Sequence, residues 1–227
     1  MTPLWHPSPN FGPRRGGAPP SIVVLHYTGM ASADAALARL CDPGPEVSAH
    51  YLIDEAGRVF ALVAEEMRAW HAGAGSWAGI TDVNSHSVGI ELANSGFEPF
   101  PQPQMQALEE LLGGVLTRWS IPPYRVIGHS DMAPGRKIDP GPRFDWRRLA
   151  RQGLSVWPQA TLEPAARSDF AADLRRFGYP DQPLSVLLSA FRLRFAPGGK
   201  GPLTHREMGI AADLARRFPV DGLQPSA

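Results

Sequence analysis

Residues 1 to 20 are rich in Pro, Gly and Arg and carry no apolar periodicity, which predicts an arm wrapped over the surface. Ser21 to Tyr27 (SIVVLHY) is a run of β-branched apolar residues, the pattern of a buried strand ending on polar groups. Asp34 to Leu40 reads as helix, and Ala49 to Asp54 with Val59 to Val63 as a hairpin turning at Glu55-Ala56-Gly57. A Gly-rich loop holding Trp70, His71, Gly73, Gly75 and Trp77 leads into a second buried strand, Ser87 to Leu92 (SVGIEL). Met105, Leu108, Leu111, Leu112, Val115, Leu116 and Trp119 recur at spacings of three and four and predict a helix over Gln102 to Trp119. A short strand, Tyr124 to Gly128, a polar loop from His129 to Pro142, and a closing helix from Trp146 follow.

Strands alternating with helices predict an α/β fold with a mixed central sheet flanked by helices, over residues 1–154. Residues 155–166, rich in Pro and Ala, read as a linker. Three helical segments then predict a small three-helix C-terminal domain over 167–222: Asp169 to Phe177, Leu184 to Phe195 and Thr204 to Phe218. The last opens on Thr204-x-x-Glu207, a capping-box pattern in which each side chain reaches the other's backbone N–H.

The 22 basic and 22 acidic residues balance, so no net field favours a nucleic acid or an anionic membrane. No apolar stretch reaches membrane-spanning length, which excludes membrane insertion. One cysteine, Cys41, forms no internal disulfide framework. The first residues lack the apolar core of a secretory signal, and the expected location is cytoplasmic, with the periplasm as the alternative.

Three polar residues stand where strands end or a loop follows: His26, His129 and Asp139. Two imidazoles and a carboxylate can bind Zn²⁺ and leave a fourth tetrahedral position open, as a catalytic site requires. Spacing alone is weak support, because no short metal motif is present, and each histidine could equally be a core residue bonded to backbone. Glu91 lies inside a near-continuous apolar strand, where a carboxylate is costly unless paired or useful.

Five ordered segments carry a resemblance: Val24-Leu25-His26-Tyr27-Thr28, Ser48-Ala49-His50-Tyr51, Trp70-His71-Ala72-Gly73, Ser87-Val88-Gly89-Ile90-Glu91-Leu92, and Ile127-Gly128-His129-Ser130-Asp131 through Gly135-Arg136-Lys137-Ile138-Asp139-Pro140-Gly141. Over residues 20–150 they resemble the type 2 N-acetylmuramoyl-L-alanine amidases, a family that includes peptidoglycan recognition proteins and phage lysozyme-like amidases. The resemblance implies a zinc enzyme that cuts the amide between a muramic acid lactyl group and L-alanine. It implies His26, His129 and Asp139 as metal ligands, Glu91 as the catalytic carboxylate and Lys137 as the stabiliser of the developing oxyanion. Lys137 and Asp139 are two apart, so an extended segment turns both to one side. Tyr51, Trp70, His71 and Asn84 are candidates for contacting a muropeptide. Structural alternatives stand beside these roles: Glu91 as an ion-pair partner of Lys137, Lys137 as a surface lysine, Tyr51 as an ordinary strand residue, Trp70 as a packing residue, and Asn84 as a loop cap.

Arg176-Phe177-Gly178-Tyr179 and Phe191 to Pro197, placed after an amidase segment, are similar to small peptidoglycan-binding-like domains. The expected function is hydrolysis of MurNAc or 1,6-anhydro-MurNAc peptides in cell-wall recycling, with peptidoglycan fragments as partners. A non-catalytic recognition module and a lytic amidase acting on intact wall share the same motifs.

Overall fold

The computed structural model describes residues 2–159 and 169–220. The linker reading therefore lies outside the described residues from 160 onward, as do the last residues of the C-terminal segment. Strands β1 (Leu4–Trp5), β2 (Phe11–Pro13), β3 (Ile22–Tyr27), β4 (Tyr51–Ile53), β5 (Val59–Ala61), β6 (Met67–Ala69), β7 (Ser87–Leu92) and β8 (Val126–Gly128) form two sheets. The main sheet has six strands in the order β1-β5-β4-β7-β3-β8. β3 runs parallel to both β7 and β8, β4 parallel to β7, and β4 and β5 form the antiparallel hairpin with Leu52 opposite Phe60. The sheet is thus mixed, as its sequence pattern predicts.

The N-terminal arm does more than wrap: β1 adds a parallel edge strand to β5, and β2 pairs with β6 in a small second sheet. β1 and β2, two and three residues long within a Pro- and Gly-rich stretch, have no apolar periodicity to read, so they surface only when their backbone partners are in place. The loop after β8 likewise opens with a single turn, α4 (His129–Met132), and α2 (Val83–His86) precedes β7.

Alternation along β3 divides the core. Val23 and Leu25 face a cluster built with Val88, Ile90 and Leu92 against α3 (Gln102–Trp119) and α5 (Trp146–Arg151). Burying each Leu, Val or Ile here contributes about 1.5–3 kcal/mol. Gln104, fully buried in the first turn of α3, donates to the carbonyls of Ile53 and Ala93 at 2.9 and 3.0 Å and ties the helix to the ends of β4 and β7. A smaller cluster joins α1 (Ala33–Cys41), whose Ser32 cap accepts from the Ala35 N–H, to Leu52, Phe60 and Leu62.

Ile22 and Val24 face the other way and meet the C-terminal helices α6 (Phe170–Phe177), α7 (Leu184–Phe195) and α8 (His205–Arg217). Phe177, Leu187, Phe191 and Leu214 share one continuous core with Ile22, Val24, Ile127 and Met132. The three helices therefore use their apolar stripes against the sheet as well as against one another. Thr204 and Glu207 close the capping box at the start of α8.

Candidate active site

The parity that sends Val23 and Leu25 into the α3 core sends His26 to the opposite face, at the carboxyl end of β3. The parallel register sets Glu91 directly beside His26, and Leu52 beyond Glu91. His129 is the first residue after β8, on the other flank of β3. Three side chains far apart in sequence thus meet at the carboxyl ends of adjacent parallel strands. Asp139 is brought in by its backbone: its carbonyl accepts from the Ser130 N–H at 2.9 Å. Glycine at 128 permits this approach, since a Cβ there would lie 2.8 Å from Pro140 Cδ.

His26 Nδ1 lies 3.0 Å from His129 Nδ1 and 2.9 Å from Asp139 Oδ2, and His129 Nδ1 is 3.0 Å from the same oxygen. His129 Nε2 is 2.8 Å from the Ala72 carbonyl. A carbonyl only accepts, so Nε2 carries the proton and Nδ1 turns its lone pair toward the other two donors. Burial, then the neighbouring His129, pushes His26 down to about 4 against the pull of Asp139. Burial would raise Asp139, but its hydrogen bonds to His129 and His26 outweigh that and hold the carboxyl well below the usual range. Two imidazole nitrogens and a carboxylate oxygen, buried and converging, form a group that can hold a metal ion.

Glu91 Oε2 is buried without a hydrogen-bond partner. Burial, reinforced by the charge of Asp139 and opposed by Lys137, pushes this carboxyl well above its ordinary value. No ion pair joins Glu91 to Lys137 among the described residues, so the pairing alternative for Glu91 is not realised. Lys137 is half-buried and lines the same groove of about 550 Å³ as His26, Glu91, His129 and Asp139. Trp70 and His71 form part of its wall, and Ile138, 53% exposed, stands at its rim.

Two of the candidates for substrate contact are committed elsewhere. Tyr51 is paired in register with Ile90, not Glu91, so its ring enters the α3 core and its hydroxyl donates to Glu65 at 2.6 Å. Asn84 borders an adjoining groove of about 540 Å³, yet its Oδ1 accepts from the backbone N–H groups of His71 and Ala72 at 3.1 and 2.9 Å. It acts as a loop cap, the alternative reading for this residue.

Other residues at the site escaped sequence reasoning. Arg136 donates to the carbonyls of Ala72 and Ala74, fastening the Gly-rich loop over His129. Asp131, inside the His129-Ser130-Asp131 segment, accepts from the Gly128 N–H at 2.8 Å, from the Tyr179 hydroxyl, and from Arg194 at 2.7 Å. Its partners lie 48 and 63 residues away on the C-terminal helical unit, and no local pattern signals them.

Comparison with known proteins agrees with this geometry. The profile of the N-acetylmuramoyl-L-alanine amidases matches residues 16–142. The amidase AmiD of Escherichia coli (strain K12) is 36% identical over 234 residues, spanning 88% of this chain and 84% of its own. The 1,6-anhydro-N-acetylmuramyl-L-alanine amidase AmpD of Haemophilus influenzae is 35% identical over 159 residues, 62% of this chain and 86% of its own. The solved complex of E. coli AmiD with anhydro-N-acetylmuramic acid-L-Ala-D-γ-Glu-L-Lys superposes with a TM-score of 0.80 at 34% identity, over 90% of this chain and 92% of that one. AmpDh3 of Pseudomonas aeruginosa, solved with an anhydromuramic pentapeptide, gives a TM-score of 0.79 at 32% identity, over 90% and 94%. With its groove, its His-His-Asp group and these likenesses along most of its length, the chain belongs to the N-acetylmuramoyl-L-alanine amidase family.

Proposed function

We propose that the amidase activity of this chain uses a zinc ion held by His26 Nδ1, His129 Nδ1 and Asp139 Oδ2. Its substrates are peptidoglycan fragments in which a MurNAc or 1,6-anhydro-MurNAc lactyl group is joined to L-alanine. The observation that supports this reading is the convergence of the three donor atoms within about 3 Å of one another beside the half-buried Glu91, whose Oε2 is buried without a hydrogen-bond partner. Bound there, zinc supplies Lewis acidity and lowers the pKa of water to about 7.

Glu91 is the proton carrier. Its unpartnered oxygen accepts the proton of the attacking water and later delivers it to the nitrogen of the departing L-alanine, as the C–O bond forms and the C–N bond breaks. Lys137, on the wall of the same groove, places a positive charge where the carbonyl oxygen becomes negative, an effect typically worth about 2.7–4 kcal/mol. Trp70 offers an aromatic face for the sugar or stem peptide. Anhydromuropeptides are the favoured form, because AmiD and AmpDh3 were solved with such ligands, and a recycling role fits them.

Incubation with purified MurNAc-peptide and 1,6-anhydro-MurNAc-peptide, followed by mass spectrometry, tests this reading. Release of an intact peptide beginning with L-alanine, abolished by a chelator and restored by zinc, is the expected result. Zinc-loaded protein that cleaves neither form would instead make the chain a recognition module.

A further inference from the structure

His71 is in contact with His26 but makes no approach to His129 or Asp139 of the kind a ligand would. Its surroundings specify where protons sit. The Ser87 hydroxyl lies 2.6 Å from the Val83 carbonyl, and only the serine can supply the proton between those two oxygens. Ser87 Oγ must therefore accept from His71 Nε2, 3.1 Å away. In a neutral imidazole this leaves His71 Nδ1 as the acceptor, and it lies 3.0 Å from His26 Nε2. His26 then donates from Nε2, and its Nδ1 presents a bare lone pair toward His129 and Asp139.

The seat of His71 is built around its ring. A Cβ on Gly89 would fall 2.4 Å from His71 Cγ, so the ring rests on the one residue of β7 with no side chain. Asn84 holds the N–H groups of both His71 and Ala72. The same dipeptide thus reaches both histidines: the His71 side chain meets Nε2 of His26, and the Ala72 carbonyl meets Nε2 of His129.

We propose that His71 is a positioning residue of the metal centre, accepting the His26 Nε2 proton and so holding His26 in the tautomer whose Nδ1 is free to bind metal. This rests on the assignment of His26, His129 and Asp139 as zinc ligands. Residues that orient a ligating imidazole in this way typically change metal affinity 10- to 100-fold when lost.

The test measures zinc affinity of the full-length protein by competition with a chromogenic chelator, with circular dichroism to verify folding. His71→Ala is expected to weaken zinc about 10- to 100-fold. His71→Asn, whose Oδ1 can stand where Nδ1 stood, is expected to restore most of that loss. Imidazole ¹⁵N NMR of the zinc-loaded wild type is expected to show the His26 proton on Nε2. Wild-type affinity in His71→Ala, or equal losses in folded Ala and Asn variants, would overturn the positioning role. Failure of the underlying assignment looks different: His26→Ala would then bind zinc as tightly as wild type, and the proposal would fall with it.

Discussion

The Arg194 guanidinium donates to the Asp131 carboxylate at 2.7 Å, and the two side chains are 1% and 0% exposed. One belongs to α7, the other to the turn that begins with His129. Arg194 also reaches the Val126 carbonyl and Ser155, and its charge lies 4.1 Å above the Trp146 ring. Removing one partner of a buried ion pair strands the other, at a cost of about 3–5 kcal/mol. Arg194→Ala is therefore expected to lower unfolding stability by that amount in urea titrations. Because Asp131 also holds the Gly128 N–H beside His129, zinc affinity should fall in the same variant. An Arg194→Ala protein as stable as wild type would show that α7 packs on the turn without holding it.

Glu91→Gln separates chemistry from assembly. The amide keeps the shape of the side chain but cannot carry a proton between water and the leaving nitrogen. Turnover of a muropeptide is expected to fall about 10²–10⁴-fold, with zinc content and melting temperature near wild type. Burial already opposes charge on Glu91, so the neutral substitution removes a desolvation cost and does not destabilise the fold. A variant that retains turnover would move the proton carrier elsewhere in the groove.

Gly89→Ala probes the floor beneath the His26-His129-Asp139 group without touching a proposed ligand. The added methyl would collide with His71 at Cγ, Cδ2 and Nδ1, at 2.4–2.7 Å, so the ring must move. Overpacking of this kind costs about 1–3 kcal/mol. Denaturant titration should register that loss, and zinc affinity should drop alongside it as His71 leaves Nε2 of His26.

The cluster of His26, His129 and Asp139 was legible in the sequence because strand ends and five motifs named the three residues individually. Parity within β3 then places His26 on the open face, and register alone brings Glu91 beside it. Register is also what sequence reasoning lacked at Tyr51: a shift of one residue decides between the groove and the α3 core, and Ile90 as its partner selects the core. The C-terminal helices were legible as helices, from their apolar stripes and the Thr204 cap. Which surface those stripes cover was not, because a stripe specifies burial and not the partner. Arg194 carries no signal in the helix pattern, because its partner Asp131 stands 63 residues earlier.

His50 makes stability depend on pH in a direction that can be derived. Fully buried, it accepts from the Gly89 N–H through Nδ1 at 2.9 Å, while Nε2 faces the Met67 carbonyl. Burial, with Arg14 adding to it and the Met67 carbonyl opposing, pushes the imidazole down to about 4. The unfolded chain takes up this proton near pH 6.5, the folded chain only near 4. Between those values the unfolded state binds more protons, so stability falls as pH is lowered from about 6.5 toward 4, and above 6.5 this group contributes no slope. The loss attributable to one imidazole is at most about 3 kcal/mol. Urea titrations of the wild type at pH 7.5, 6 and 5 should show the decline, and His50→Asn, less stable at pH 7.5, should decline less over the same range. Parallel curves for the two proteins would mean that the proton uptake occurs at another buried group.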